Sequence, residues 1–127
     1  MSSLVLLVDD NATIRSVVRI YLMGMDLSVL DAQSAERALE ILETARVHLI
    51  IADLNMPGMD GLTFIRRIRE DGRPTVRDVP IILLSGEKGQ DVERQGAAAG
   101  ANQFISKPVT ALQLRTAVEV CLEPPAA

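Results

Sequence analysis

Two aspartates, Asp9 and Asp10, stand side by side directly after an unbroken apolar run, Leu4–Val8. A third acid, Asp53, follows another apolar run, Leu49–Ala52. Carboxylates brought close together repel one another, and one of them takes up a proton unless a cation lies between them. Oxygen ligands with no His or Cys nearby favour Mg²⁺ over zinc or copper. The three acids therefore predict a magnesium site.

A hydroxyl and an ammonium group follow two later apolar segments. Ser85 comes after Pro80–Leu84 in the run LLSGE, and Lys107 comes after Gln103–Ile105 in the run ISKPV. A carboxylate that touches Mg²⁺ can attack phosphorus and form an acyl phosphate. The serine and the lysine could then donate hydrogen bonds to the phosphoryl oxygens.

The elements that must position these residues alternate along the chain. Five short apolar runs are the predicted strands: Leu4–Val8, Leu27–Leu30, Leu49–Ala52, Pro80–Leu84 and Gln103–Ile105. Several lack polar alternation, which is typical of strands covered on both faces. The segments between them repeat apolar residues at three- and four-residue steps, the period of a helix. This order predicts an α/β doubly wound parallel sheet, in which the carboxyl ends of the strands share one edge and ligands bind there.

Capping residues support the predicted helices. Ser34 and Asp60 are the predicted N-caps of two helices, and Thr110 with Gln113 matches a capping box at the start of the last helix. Gly100 is a predicted C-terminal stop.

Composition narrows the class of protein. The chain has 127 residues, of which 48% are hydrophobic and only 2% aromatic, so the core must be aliphatic. A net charge of -4 argues against a nucleic-acid-binding surface, and no apolar run approaches the roughly 18 residues that span a bilayer. No signal peptide is evident, and the single Cys121 leaves no internal disulfide. We expect one cytoplasmic domain over 1–127, with a core at 4–122, a tail at 123–127 and no output domain.

These residues together resemble the receiver domain of two-component response regulators, from about Leu4 to Leu122. The acidic pair, the run D-x-x-M-P-x-M-D-G from Asp53 to Gly61, the serine at a strand end and the Lys-Pro pair occur in the matching order. The resemblance implies a flavodoxin-like (βα)5 fold with strand order 2-1-3-4-5. It implies that Asp53 accepts a phosphoryl group from phosphohistidine on a sensor histidine kinase or a histidine phosphotransfer protein.

The resemblance also implies the metal ligands. Asp10, Asp53 and the backbone carbonyl of Asn55 are expected to bind Mg²⁺, with Asp9 assisting. Lys107 is expected to pair with the acidic site, and its peptide bond to Pro108 is expected to be cis.

The same resemblance implies a switch. Ser85 is expected to move toward the phosphoryl group, and Phe104 to turn into the space that the serine leaves. Asn55 and Glu87, two residues beyond Asp53 and Ser85, are expected to influence the lifetime of the phosphoryl group.

The resemblance further implies that a downstream protein binds the face formed by the fourth predicted helix, the fifth strand and the fifth predicted helix. Four residues are expected to lie on this face: Lys88, Gln95, Phe104 and Gln113. The protein is expected to be a monomer or a phosphorylation-dependent dimer that binds neither nucleic acid nor membrane.

Glycines weaken the predicted helix after Ser85. Gly86 stands where relatives most often carry Ala, and the helix is expected to contain Gly89 and Gly96, each costing roughly 1 kcal/mol against Ala. We therefore expect a frayed first turn, up to Asp91, with fast amide exchange.

Each candidate residue also has a simpler interpretation. Asp9, Asp10 or Asn11 could cap a helix, and Asp53 could be an ordinary turn aspartate. Taken singly, Ser85 and Lys107 read as surface residues and Phe104 as core. His48 and Cys121 are interpreted as structural.

Three functional classes remain open from the sequence. The favoured one is a phosphorylation-switched signalling module, which acts on a partner protein or serves as a phosphate sink and is not an enzyme beyond its own phosphorylation and dephosphorylation. A flavodoxin-type FMN binder would need a phosphate loop without carboxylates, unlike DDNAT. An aspartyl-phosphate phosphatase typically needs a second acid two residues after its nucleophile, where this chain has Asn55.

Overall fold

The computed structural model describes residues 3–87 and 89–122. In these ranges the strands are β1 Ser3–Val8, β2 Leu27–Ala32, β3 Leu49–Asp53, β4 Ile81–Ser85 and β5 Gln103–Ser106. The helices are α1 Ala12–Tyr21, α2 Ala35–Thr44, α3 Gly61–Arg69, α4 Pro74–Arg77, α5 Gln90–Ala99 and α6 Ala111–Leu122.

The strands form one parallel sheet in the order β2-β1-β3-β4-β5. The predicted flavodoxin-like order is thus confirmed. β1 lies between β2 and β3, so the direction in which strands are added reverses beside the carboxyl ends of β1 and β3. Ligands bind at such a reversal point in open α/β sheets.

Two apolar clusters, one on each face of the sheet, form the core of the described residues. One contains buried side chains of α2, α3, α4 and α5, and the other contains those of α1 and α6. Every residue of β3 and β4 is buried, which agrees with the unbroken apolar runs predicted as doubly covered strands. Phe64 on α3 is among the largest fully buried side chains.

The predicted helix caps are present. Ser34 Oγ accepts a hydrogen bond from Arg37 N at 3.1 Å, and Asp60 Oδ1 accepts one from Thr63 N at 2.8 Å. Thr110 and Gln113 exchange the two hydrogen bonds of a capping box. These local side-chain bonds explain why α2, α3 and α6 begin where the sequence predicts.

The predicted boundaries of three strands that end near the site, β3, β4 and β5, were wrong by one residue. The strand expected at Pro80–Leu84 is Ile81–Ser85, so Ser85 ends the strand and does not follow it. Proline has no N–H to donate to the sheet; Pro80 instead accepts a hydrogen bond from Ile50 N at 3.0 Å. Asp53 likewise is the last residue of its strand.

The prediction that Gly89 and Gly96 both weaken α5 from its interior also needs correction. Gly89 has a φ of +124° and occupies the N-cap position, outside the helix, so the interior penalty does not apply to it. Gly96 is inside the helix, but a Cβ there would lie 2.9 Å from Leu83 Cδ2. The missing side chain therefore allows α5 to pack closely on the sheet. Helix α5 begins at Gln90 without a side-chain cap, and fast exchange of its first turn stays a prediction.

The remaining predictions concern residues with structural roles or residues that the structure does not describe. His48 Nδ1 accepts a hydrogen bond from Leu4 N at 2.9 Å, which joins the starts of two strands. Cys121 is half-buried in α6, beside the second apolar cluster. Lys88 and the predicted tail at 123–127 lie outside the described residues. Within those residues, no helix combines the length and the apolar character that a membrane crossing requires.

Candidate functional site

The acids predicted to bind a metal converge at the carboxyl edge of the sheet. One carboxylate oxygen from each of Asp9, Asp10 and Asp53 lies within 4.8 Å of the others. Asp9 and Asp53 are buried, whereas Asp10 is exposed. The β1–α1 loop and the end of β3 bring them together because these neighbouring parallel strands end at the same level, with Val8 opposite Ala52.

A different residue caps the helix that follows the acidic pair. Asn11 Oδ1 accepts a hydrogen bond from Ile14 N at 3.0 Å, which makes Asn11 the N-cap of α1. Asp9 and Asp10 are therefore not needed for capping. This result removes the simpler interpretation of both acids.

Asp9 is a buried carboxylate with one open acceptor. Its Oδ1 accepts a hydrogen bond from Asn11 N at 2.9 Å, while its Oδ2 has no hydrogen-bond partner among the described residues. Burial raises the pKa of Asp9 above its usual value, and the charges of Asp53 and Asp10 raise it further. The Asn11 amide and Lys107 lower the pKa in part. A buried carboxylate oxygen that accepts no hydrogen bond and lies beside other acids fits a cation ligand.

Lys107 is the cation that the described residues supply. Its Nζ lies 2.8 Å from Asp53 Oδ1 and 3.9 Å from Asp9 Oδ2. Its backbone N donates to Ser85 O at 2.7 Å, which anchors the β5–α6 loop to the end of β4. The peptide bond between Lys107 and Pro108 is cis, as expected. A single ammonium cannot balance three carboxylates, so the edge retains net negative charge.

Ser85 lies beside the site but its hydroxyl is already engaged. The side chain is fully buried. Its Oγ accepts a hydrogen bond from Glu87 N at 2.9 Å and donates one to Glu87 O at 3.1 Å. The hydroxyl thus holds its own loop and does not reach the acids.

A side-chain bridge connects two loops at the mouth of the site. Asn55 Nδ2 donates to Glu87 Oε1 at 3.5 Å, at the limit for a hydrogen bond. Both residues are exposed. The two residues proposed to influence phosphoryl lifetime therefore contact each other across the site.

A glycine brings helix α3 close to Asp53. A Cβ at Gly61 would lie 2.5 Å from the Asp53 backbone oxygen, and Gly61 N donates to Leu54 O at 2.8 Å. Any side chain here would push the start of α3 away from the buried acid. The last glycine of the D-x-x-M-P-x-M-D-G run thus has a steric role beside the site.

The predicted contact face lies on the outer side of β5. Phe104 is half-buried, with Cδ2 3.7 Å from the position of a Cβ at Gly96. Its ring borders a groove of about 520 Å³ that Leu112, Gln113 and Val120 also line. Gln95 and Gln113 are exposed. The face is thus open to solvent and partly apolar.

Sequence reasoning missed one side chain next to the acids. Arg15 Nη1 donates to the backbone oxygen of Asp9 at 2.6 Å. An arginine in an amphipathic helix normally reads as a solvated residue, so no local pattern indicates this contact. Only the pairing of β1 with β2 and the packing of α1 reveal it.

Comparisons with known proteins point in one direction. The sequence profile of the response regulator receiver domain matches residues 5–119. The chain is 30% identical to the chemotaxis protein CheY of Pseudomonas aeruginosa, over 94% of this chain and 95% of that protein. It is 33% identical to the regulatory protein VanR of Enterococcus faecium, over 96% of this chain but 51% of that protein. Its backbone matches the chemotaxis response regulator CheY4 of Vibrio cholerae with a TM-score of 0.87 and 30% identity, covering 96% of this chain and 100% of that one.

Proposed function

Because this chain belongs to the response regulator receiver domain family, we propose that Asp53 accepts a phosphoryl group from a phosphohistidine and that Mg²⁺ is required. A sensor histidine kinase or a histidine phosphotransfer protein is the donor. The observation that carries the proposal is the buried Asp53 carboxylate, 2.8 Å from Lys107 and clustered with two further acids.

Asp10, Asp53 and the backbone carbonyl of Asn55 are the proposed metal ligands, and Asp9 assists. The Oδ2 atom of Asp9, which accepts no hydrogen bond from the described residues, and the all-oxygen donor set fit magnesium. When bound, Mg²⁺ supplies a Lewis acid for phosphoryl oxygens.

The protein residues have separate roles in the transfer. An Asp53 oxygen attacks phosphorus as the phosphorus–nitrogen bond of the donor breaks. Lys107, already held at Asp53 Oδ1, balances the added negative charge.

Phosphorylation then biases the loop after β4. The phosphoryl group adds about -1.5 to -2 charge and three acceptor oxygens. Ser85 would exchange its bonds to Glu87 for a bond to the phosphoryl group, and the added charge would repel the Glu87 carboxylate. The Asn55–Glu87 bridge would open as the loop moves. Phe104, only half-buried beside α5, turns inward, and the population of the signalling conformation rises.

The proposed output is altered binding of a cytoplasmic partner protein through the groove beside Phe104. Beryllofluoride-loaded and untreated protein should capture different partners, and capture of the same partners by both forms would count against this output. A phosphate sink would be phosphorylated without any change of partner.

The two other classes fit the site less well. The loop after β1 presents carboxylates, which would repel the phosphate of FMN. The position two residues after Asp53 holds Asn55, which cannot serve as the second acid of a phosphatase.

Asp53→Asn tests the proposal directly. The protein is incubated with Mg²⁺ and acetyl phosphate, and the mass of the intact protein is measured. Asp53→Asn should remove the added phosphoryl mass, whereas Asp26→Asn, an exposed acid at the other end of the sheet, should retain it. Undiminished phosphorylation of Asp53→Asn would overturn the proposal. Lys107→Ala should slow phosphorylation or uncouple it from the loop movement.

A further inference from the structure

Arg15 connects the acidic loop to the edge strand β2. Its Nη1 donates to Asp9 O at 2.6 Å, and its Nε lies 3.3 Å from Asp31 Oδ2. Only 17% of the Arg15 side chain is exposed. Arg15 is therefore a largely buried connection between the loop after β1 and the end of strand β2.

With the Arg15 contact, both backbone polar atoms of Asp9 are hydrogen-bonded. Asp9 N donates to Ala32 O at 3.1 Å, and Asp9 Oδ1 accepts from Asn11 N. With its carbonyl held by Arg15, Asp9 has three of its four polar atoms bonded and only Oδ2 open toward the acidic cluster.

The same contact reaches Asp10 through the peptide bond. The carbonyl of Asp9 and the amide of Asp10 belong to one planar peptide unit. Holding the Asp9 oxygen therefore fixes the plane from which the Asp10 side chain projects.

Asp31 prevents Arg15 from acting as a competing cation. The Asp31 carboxylate accepts from both Arg15 and Arg19, so the guanidinium is paired away from the cluster. Lys107, by contrast, contacts the site carboxylates directly.

We infer that Arg15 is a positioning residue for the metal site, acting through the Asp9 carbonyl to hold two acids in the orientation that binds Mg²⁺. This inference rests on the proposed function, because it concerns the same site. Residues that orient metal ligands typically contribute 10- to 100-fold to metal affinity.

Arg19 offers a matched control. It lies one helical turn further along α1, and it also pairs with Asp31. Its other hydrogen bond goes to Val29 O at 3.2 Å, away from Asp9. Arg19→Ala therefore removes an arginine–Asp31 pair without touching the acidic loop.

The experiment measures the Kd of Mg²⁺ by calorimetry for the unsubstituted chain, Arg15→Ala, Arg15→Lys and Arg19→Ala. We expect roughly a tenfold higher Kd for Arg15→Ala, an intermediate value for Arg15→Lys, which keeps the charge and one donor, and less than a twofold change for Arg19→Ala. At saturating Mg²⁺, Arg15→Ala should regain a phosphorylation rate near that of the unsubstituted chain, because the phosphoacceptor is intact.

Several results would overturn the inference. One is an unchanged Kd in a folded Arg15 variant, and another is an equal loss of affinity in Arg19→Ala. Failure of both Arg15 variants to fold would assign the residue a purely structural role. Absence of Mg²⁺ binding by the unsubstituted chain would overturn the proposed function as well, so the two failures are distinguishable.

Discussion

The two edges of the sheet both bury charged side chains, but they differ in how those charges are paired. At the amino edge, the guanidinium of Arg69 donates to the backbone oxygens of Gly100, Arg77 and Val79 and to Asn102 Oδ1, at 2.7–3.0 Å. At the carboxyl edge, Asp9 Oδ2 is buried without a hydrogen-bond partner among the described residues. A buried charge with all its bonds made joins elements together, whereas one with an open acceptor is suited to a ligand.

Burial disfavours the charged form at both edges. It lowers the pKa of Arg69, with Asp78 opposing the change, and it raises the pKa of Asp9. Arg69 regains the lost hydration through hydrogen bonds that connect α3, α4 and the segments before β4 and β5. Asp9 regains only part of its lost hydration through hydrogen bonds. Its Oδ2 therefore retains affinity for a cation.

Removing Arg69 should have the largest effect on stability. Arg69→Ala removes five hydrogen bonds, of which those to Gly100 O and Val79 O are partly buried, and we expect the free energy of unfolding to fall by about 3 kcal/mol. Chemical denaturation measures this change. Arg67→Ala is the control, because Arg67 is exposed and makes no ion pair or hydrogen bond in the described part of the chain, so its effect should stay within about 0.5 kcal/mol. Equal effects of the two variants would contradict the comparison.

Gly100→Ala should destabilise the protein at the same edge of the sheet, but by less than Arg69→Ala. Gly100 has a φ of +120°, and a Cβ there would lie 2.7 Å from Arg69 Cγ. We expect a loss of roughly 2 kcal/mol from backbone strain and displacement of the arginine. Gly72→Ala, where a Cβ meets nothing within 4 Å, is the control under the same denaturation assay. A loss in the control as large as in Gly100→Ala would refute the steric explanation.

Asp9→Asn should raise the stability of the metal-free protein, in contrast to the two preceding substitutions. Without metal, the amide removes a buried charge near Asp53 and Asp10, and we expect a gain of about 1 kcal/mol and a Tm higher by about 4 °C. The same variant should gain less stability from added Mg²⁺ than the unsubstituted chain, since ligand binding stabilises the folded state. Calorimetric melting with and without Mg²⁺ measures both effects, and a lower Tm of the metal-free variant would contradict this explanation.

The pH dependence of stability should reveal the contribution of the Asp9 carboxyl group. The folded state raises the pKa of Asp9 from 3.8, so between these two values it binds more protons than the unfolded state. Its contribution to stability is therefore greatest below pH 3.8 and is lost as pH rises through the folded pKa. In the metal-free protein, the stability difference between Asp9→Asn and the unsubstituted chain should widen over this range. A constant difference would show that the Asp9 charge is not the cause.

Asp71→Asn should have the smallest effect on stability. The contribution of Asp71 to stability should depend on pH in the opposite direction to that of Asp9. The Arg73 side chain lowers the pKa of Asp71 to about 2, and the Arg73 backbone amide contributes. Its contribution is therefore present above pH 3.8 and lost as pH falls toward 2. Because Asp71 is only partly buried and its partner Arg73 is exposed, solvent screens the pair and the effect should be slight. Unfolding of Asp71→Asn compared with the unsubstituted chain between pH 2 and 5 measures it; a larger effect than that of Asp9→Asn would contradict the comparison.

Much of the site could be predicted because its residues lie at or just beyond the carboxyl ends of strands. Asp9, Asp10, Asp53, Ser85 and Lys107 each stand within two residues of a strand end, and the carboxyl ends of parallel strands share an edge. The contacts of Arg15 and Arg69 could not be predicted, because both side chains donate to backbone oxygens, and a backbone oxygen has no residue type. The short helix α4 was missed because four residues are too few to show a period.

The sequence by itself determined the alternation of strands and helices, the caps of three helices and the grouping of acids at one edge, since these depend on local periodicity, short-range hydrogen bonds and strand direction. Tertiary structure alone decided which charges are paired. Lys107 pairs with Asp53, Arg15 pairs with Asp31, and Arg69 donates to Gly100. Each of these depends on distances of a few ångströms between separately folded elements, and no pattern of residue types along the chain encodes such distances.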